Sequence, residues 1–370
     1  MDNNEEGKVT DYVSADSDYA VPTGEFIEEW LEENNMSQAE LARRLNVSPK
    51  HVSKLIAGAR LTETVAMKLE LVTGVPARIW LSYEATYRAD IARLGLEAEL
   101  AAEKDVAALF PVKELRQMGI ITETMRRPGI LLMQLMGFFA VGSLEGLKSR
   151  AQPLAAFRQD AAHPVDPAAV QVWLRLIELE LASLDELESR YNREAFLELL
   201  PEIRALSLKS PEEYGSLIPQ MLGDVGIRLI YKSEVKGIRA YGATQWIGGH
   251  PVITLTTRGA DDGKFWFTLF HEFGHVLHHP HNELFIQNQD GDGGSILEAE
   301  ADSFASDYLI KPGMAQRLGS LRSLQEVREF AAAIGVCPGI IVGRMHHDGI
   351  WPYQNGRGLY KRLTINDGDE

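Results

Sequence analysis

The pentapeptide His271-Glu272-Phe273-Gly274-His275 carries the residue types of a zinc site that performs chemistry. It lies within an apolar stretch whose periodicity predicts a helix. Histidines four residues apart lie on one helical face, where both imidazoles can bind one metal ion, and Glu272 beside them can act as a general base. The spacing therefore predicts metal-assisted hydrolysis, with His271 and His275 as ligands and Glu272 as the catalytic residue.

A catalytic zinc site takes a third protein ligand and keeps one position for water. The stretch from Leu297 to Leu309 has helical periodicity and ends before Pro312, so it can present such a ligand from a second helix. We expect Glu298 to complete the metal coordination. Asp302, one turn further along the same face, is expected to accept a hydrogen bond from a ligand imidazole. Glu300 points about 200° away on an ideal helix and is the second choice of ligand.

These segments, together with Leu309-Ile310-Lys311-Pro312, resemble the ImmA/IrrE type of zinc metallopeptidase over roughly residues 210–350. The resemblance implies a compact gluzincin-like domain in which His271, His275 and Glu298 bind Zn²⁺ and Glu272 activates the water. Residues 287–294 depart from the family as a polar insertion, which we interpret as an exposed loop, with a lid as the alternative.

Three further histidines, His278, His279 and His281, leave open a closed structural zinc site that would not catalyse. Against that, a closed site would leave Glu272 without a role. We interpret His279 and His281 as solvated residues at the C-terminal end of the helix, where they interact favourably with the helix dipole. His278 is a weaker candidate on the substrate side.

A second informative segment lies between Gly24 and Gly58. Its apolar spacing predicts three short helices, the second opened by a capping-box pattern at Ser37 and the third by Ser48 with Pro49. Two short helices across a tight turn form a helix-turn-helix, which presents the second of the pair to the major groove. The predicted contacts to DNA are Arg43, Lys50, His51, Ser53 and Lys54.

The net charge of −16 would repel DNA if it were spread evenly. Between Ser37 and Arg60, however, five basic residues stand against one acid, Glu40. This local excess is compatible with DNA binding by one end of the chain.

The segments Met36–Leu45, Val52–Gly58 and Thr73–Leu81 resemble the Xre-type regulators, and especially the HigA-like antitoxins, over about residues 20–90. The resemblance implies sequence-specific binding, usually as a dimer, to an operator that controls the protein's own operon. The long chain that follows departs from the antitoxin pattern.

The expected architecture is mainly α with a small β-sheet, of the α+β class. Its expected parts are a disordered acidic tail (1–19), a helix-turn-helix domain (20–90), a helical connector (91–209), a zinc metallopeptidase domain (210–350) and a C-terminal tail (351–370). Strands are predicted at 227–231 and 252–256, ahead of the metal-binding helix. The apolar run Ile130–Val141 is too short to span a bilayer and predicts a buried helix, with an exposed partner-binding patch around Phe138 as the alternative.

Cys337 is the single cysteine and cannot form an internal disulfide, and no signal peptide or membrane span is evident, so the cytoplasm is the expected compartment. We expect a homodimeric DNA-binding regulator whose zinc endopeptidase cleaves or senses a repressor-like or toxin–antitoxin partner. The alternative is a HigA-like repressor or antitoxin whose zinc domain binds a partner or a signal without proteolysis.

Overall fold

The computed structural model describes residues 18–152, 166–232, 240–256, 261–279, 284–288 and 296–363. The chain forms two compact units that divide between Ser149 and Arg150. Nearly all of the predicted acidic tail lies outside the described residues. The predicted boundary at residue 90 falls within one continuous helix.

The helices that begin in the first unit are α1 Thr23–Glu33, α2 Gln38–Leu45, α3 Pro49–Ile56, α4 Glu63–Thr73, α5 Ala77–Ala101, α6 Lys104–Ala107, α7 Val112–Gln117, α8 Pro128–Phe138 and α9 Leu144–Arg150. The side chain of Ser37 accepts a hydrogen bond from the backbone N–H of Glu40. Ser48 caps α3 in the same way, with Pro49 in its first turn. The Glu40 carboxylate pairs with Arg43 and Arg44, so the structure shows only half of the predicted capping box.

The five N-terminal helices share one apolar core. Leu41, Leu45 and Val52 are at most 1% exposed, so the apolar faces of α2 and α3 are committed to this core. The polar faces of these two helices are thereby left toward solvent. The central contributors to the core include Ile27, Leu31, Leu55, Leu69 and Trp80.

The apolar run Ile130–Val141 largely corresponds to α8, which is buried as predicted. Phe138 and Phe139 are 2% and 1% exposed, and their rings pack at a centroid distance of 4.8 Å. The alternative of an exposed partner-binding patch at this point is therefore wrong. None of the described helices combines the length and the apolar composition that crossing a bilayer demands.

The elements of the second unit are α10 Pro167–Ser183, α11 Arg193–Ala205, α12 Pro211–Asp224, β1 Arg228–Lys232, β2 Ala240–Ile247, β3 His250–Thr256, α13 Asp262–His278, β4 Phe285–Asn288, α14 Ile296–Leu309, α15 Pro312–Ala315, α16 Leu324–Ile334 and α17 Pro338–His347. The strands form one sheet in the order β1-β3-β2-β4. Strand β3 is parallel to β1 and antiparallel to β2, and β4 is antiparallel to β2. This architecture confirms the predicted α+β class.

The strands predicted at 227–231 and 252–256 are confirmed as β1 and β3. Strand β2 was not predicted. Strand β4 corrects the interpretation of residues 287–294 as a loop, because Gln287 and Asn288 belong to the sheet. The remainder of that predicted loop lies outside the described residues.

Helix α13 is the centre of the second core. It packs against the sheet on one side and against α14 and α17 on others, so most of its residues are buried. A Cβ atom added to Gly274 would lie 3.0 Å from the Cα of Ala301. Glycine at this position therefore permits the close approach of α13 and α14, the two helices that carry the predicted metal ligands.

The segment after α17 was predicted as a tail, but residues 359–362 lie against the N-terminal end of α13. The backbone N–H of Asp262 donates to the carbonyl of Lys361 at 3.1 Å, and the N–H of Lys361 donates to Asp262 Oδ1 at 3.0 Å. Leu359 is 7% exposed and belongs to the core around α13. These residues therefore help to hold the start of α13.

Candidate metal site and candidate DNA-binding helix

The structure brings the three predicted metal ligands together. Helix α13 places the Nε2 atoms of His271 and His275 3.0 Å apart. Glu298 reaches them from α14, with Oε2 3.1 Å from His271 Nε2 and Oε1 3.5 Å from His275 Nε2. Both imidazoles are 1% exposed, so the three donors converge on a point beneath the surface.

This donor set fits a zinc ion. Ligands about 2.0–2.1 Å from a tetrahedral zinc ion are separated from one another by about 3.3 Å, and the three side chains already hold their donor atoms at 3.0–3.5 Å. Two neutral imidazoles and one carboxylate are also the ligand types that catalytic zinc sites use. The cluster is suited to an open site with three protein ligands.

Asp302 lies where the sequence predicts. Its Oδ1 atom is 2.7 Å from His271 Nδ1, the ring nitrogen that points away from the ligand cluster. A carboxylate at this nitrogen keeps a proton on Nδ1 and leaves the lone pair of Nε2 for a metal ion. The contact therefore orients one of the two predicted histidine ligands.

The interpretation of His279 as a solvated residue is wrong. His279 is 4% exposed, and its Nδ1 atom is 2.7 Å from His275 Nδ1. Its Nε2 atom is 3.3 Å from Glu300 Oε2, so Glu300, the second choice of ligand, lies against His279. His278 is exposed and its ring packs beside Phe304. His281 lies outside the described residues.

Glu272 is fully buried and faces the sheet. The Thr244 hydroxyl of β2 donates a hydrogen bond to Glu272 Oε2 at 2.6 Å, whereas Oε1 has no hydrogen-bond partner among the described residues. A Cβ atom added to Gly242 would lie 2.4 Å from Oε1, so the glycine makes room for the carboxylate. Sequence reasoning missed Thr244 and Gly242 because it missed β2.

The electrostatics of the cluster follow from burial and hydrogen bonding. Burial lowers the pKa of His271, but hydrogen bonds to Asp302 and Glu298 outweigh it and raise the pKa to about 10. Burial raises the pKa of Glu298, but its hydrogen bonds to both histidines bring the pKa to about 2. Burial alone dominates at His275, whose pKa is lowered to about 4, and at Glu272, whose pKa is raised to about 7. Metal binding at these residues is therefore expected to release a proton.

The predicted DNA contacts lie on the surface of the first unit. Lys50, His51, Ser53 and Lys54 are all exposed on α3, because Val52 and Leu55 take the buried positions of that helix. Arg43 extends from the last turn of α2 and pairs with Glu40. An exposed ion pair of this kind contributes little to stability, so it leaves Arg43 available to a phosphate.

Comparison with known proteins gives a concordant result for both units. Residues 27–80 match the helix-turn-helix family, and residues 223–346 match the IrrE N-terminal-like domain, a peptidase family. YddM, an uncharacterized HTH-type transcriptional regulator of Escherichia coli (strain K12), is 37% identical over 79 residues, which are 19% of this chain and 84% of that protein.

Fold, site and matches together define a helix-turn-helix protein that carries a metallopeptidase-type domain. The chain belongs to the Xre-like HTH-type transcriptional regulators, with an IrrE N-terminal-like domain fused behind the DNA-binding domain. The predicted resemblances to the Xre-type regulators and to the ImmA/IrrE type of domain are thereby confirmed.

Proposed function

We propose that the protein is a DNA-binding transcriptional regulator whose second unit is a zinc-dependent endopeptidase acting on a repressor-like or toxin–antitoxin partner. The observation that carries the proposal is the position of Glu272. This residue lies next to His271 on α13, and the two histidines of that helix, His271 and His275, contact Glu298. That arrangement joins three metal donors with a buried carboxylate, in a chain that also carries a DNA-binding domain.

Residues of the second unit would have separate roles in peptide hydrolysis. His271, His275 and Glu298 would hold Zn²⁺, which when bound lowers the pKa of a water molecule and polarises a peptide carbonyl. Glu272 would take the proton of the attacking water and pass it to the leaving amine. Thr244 would hold Glu272 through the hydrogen bond to Oε2.

Among the described strands, β4 is the edge of the sheet that lies beside the proposed ligands. Its Phe285 ring stacks on the His275 ring at a centroid distance of 4.2 Å. An exposed strand edge can bind an extended peptide by backbone hydrogen bonds. We propose that the substrate binds along this edge. The substrate would then be an unfolded or extended segment.

A second candidate function also has an observation in its favour. Glu272 is 0% exposed, with one carboxylate oxygen enclosed against Gly242, and a general base must reach a water molecule. If the site never opens, the protein would be a HigA-like repressor or antitoxin whose zinc domain binds a partner or a signal without cutting it.

The decisive experiment uses the purified full chain and the protein encoded by the neighbouring gene. Incubation with zinc should produce a defined pair of fragments by mass spectrometry, and a chelator should abolish them. If the neighbour forms a stable complex with the zinc-loaded chain and stays intact, the endopeptidase proposal fails and the binding role replaces it.

DNA binding is proposed to occur as a homodimer in the cytoplasm, because paired recognition helices read two half-sites of an operator. Replacing both Lys50 and Lys54 by alanine should weaken binding to the protein's own promoter on the order of tenfold at moderate salt. The plot of log affinity against log salt should become shallower by about one for each lost phosphate contact.

The matched control is Lys104→Ala with Lys113→Ala, which removes the same charge from exposed positions elsewhere in the first unit. Affinity should be measured by fluorescence anisotropy at several salt concentrations. Equal affinities and equal salt slopes for the two double variants would contradict the assignment of α3 as the DNA-binding helix.

Thr244→Val should slow cleavage about tenfold and leave zinc affinity unchanged. Valine keeps the shape of threonine but cannot donate to Glu272 Oε2, so the carboxylate loses its anchor while the three metal donors keep theirs. Initial cleavage rates and zinc titrations of the same preparation test this result. Parallel losses of zinc affinity and of rate would show instead that Thr244 supports the fold of the whole site.

A further inference from the structure

The two histidine ligands are supported differently at their outer nitrogen atoms. His271 Nδ1 meets a carboxylate oxygen of Asp302 at 2.7 Å. His275 Nδ1 meets another imidazole nitrogen, Nδ1 of His279, at the same distance of 2.7 Å. Either imidazole can donate or accept the hydrogen bond between the two Nδ1 atoms. Which ring nitrogen carries the proton decides whether His275 Nε2 has a lone pair for the metal.

The hydrogen bonds allow one arrangement that is compatible with metal binding. A neutral His275 that offers the lone pair of Nε2 must carry its proton on Nδ1. His275 Nδ1 then donates to His279 Nδ1, which must be an acceptor. His279 consequently carries its own proton on Nε2, the atom that lies 3.3 Å from Glu300 Oε2.

The opposite arrangement blocks the metal. If His279 Nδ1 donated, the proton of a neutral His275 would move to Nε2, which faces His271 Nε2 at 3.0 Å and Glu298 Oε1 at 3.5 Å. The Glu300 carboxylate disfavours this arrangement, because it can only accept a hydrogen bond and so favours a proton on His279 Nε2.

Burial strengthens the preference for a proton on His279 Nε2. His279 is 4% exposed, and the Phe285 ring lies 4.2 Å from the His275 ring and 5.3 Å from the His279 ring between centroids. The aromatic cover limits the access of water to the contact between the imidazoles, so a solvent molecule is a poor substitute for His279. The relay ends at Glu300, whose side chain is 56% exposed.

We propose that His279 and Glu300 form a positioning relay that holds His275 in its metal-binding tautomer, an inference that rests on the zinc site of the proposed function. Glu300, Glu298 and Asp302 all belong to α14. This helix therefore supplies the third ligand, the carboxylate that contacts His271, and the carboxylate that contacts His279. The packing of α14 against α13 therefore determines the relative positions of these side chains.

The test compares zinc affinities of the full chain by competition with a chromophoric chelator. His279→Leu should weaken zinc binding about 10–100-fold, the range for loss of an outer support. His279→Asn should restore most of the affinity, because its amide oxygen can take the place of Nδ1 as acceptor. Glu300→Ala should cause a smaller loss, and His278→Leu, the matched control at the exposed neighbour, should cause none.

A spectroscopic measurement on the unmodified protein keeps the test independent of variant folding. Long-range ¹H–¹⁵N correlation spectra of the zinc-loaded chain should show His279 protonated at Nε2 and unprotonated at Nδ1. A proton on His279 Nδ1, or equal zinc affinities of His279→Leu and His278→Leu, overturns the relay. Zinc binding without cleavage of the partner would reject only the endopeptidase proposal. A wild-type chain that binds no zinc would overturn both the relay and the zinc site.

Discussion

Glu272→Gln is expected to lower the rate of partner cleavage by about 10²–10⁴-fold, the usual contribution of a general base. The amide cannot take a proton from the attacking water, but it preserves the shape of the side chain and can still accept the hydrogen bond from Thr244. Zinc content and promoter affinity should stay at wild-type values, because Glu272 lies outside the three-ligand cluster. Cleavage should be followed by mass spectrometry of new N-termini.

Glu198→Gln is the matched control, since it removes the same charge from an exposed position of α11 in the same unit. Full activity of this variant beside an inactive Glu272→Gln would assign the loss to the position of the carboxylate. If Glu272→Gln cleaves the partner at the wild-type rate, or if cells that carry it yield the same protein fragments as wild type, the endopeptidase proposal is rejected.

The double variant His271→Ala, His275→Ala should lose zinc almost completely, with an affinity at least about 10³-fold below wild type. Two of three converging donors disappear, and Glu298 alone is an ordinary carboxylate. Metal analysis should find about one zinc per wild-type chain and almost none in the variant. Zinc should raise the melting temperature of the wild-type protein only, because a ligand stabilises the state that binds it.

The double variant His278→Ala, His347→Ala is the control, because both histidines are exposed. Equal zinc content in the two double variants would contradict the site. A comparison of Glu298→Ala with Glu300→Ala identifies the third ligand. Loss of zinc in Glu300→Ala with retention in Glu298→Ala would reverse our assignment.

The sequence by itself determined the features that depend on neighbours along the chain. Four-residue spacing puts His271 and His275 on one helical face whatever the fold, and the caps at Ser37 and Ser48 satisfy backbone N–H groups within three residues. The same locality explains why Glu298 and Asp302 could be assigned to one face of a second helix. The meeting of the two helices was predicted from the requirement of zinc for a third ligand and from the family resemblance.

The sequence also contains a local signal for strand β2. Gly248 and Gly249, with φ angles of 60° and 86°, form the tight turn between β2 and β3. A two-residue glycine turn between β-forming segments is a strong hairpin signal. It would have identified β2, and with it the strand that carries Thr244.

Only the tertiary structure decided the surroundings of the two side chains that adjust the site. His279 follows the last turn of α13, where helical position alone suits a solvated histidine, but packing against Phe285 and Glu300 buries it against His275. Thr244 reaches Glu272 across 28 positions of sequence. Hydrogen bonds of this kind depend on how α13 packs against β2 and α14. Spacing along one helix carries no information about that packing, because it places residues only relative to their own helix axis.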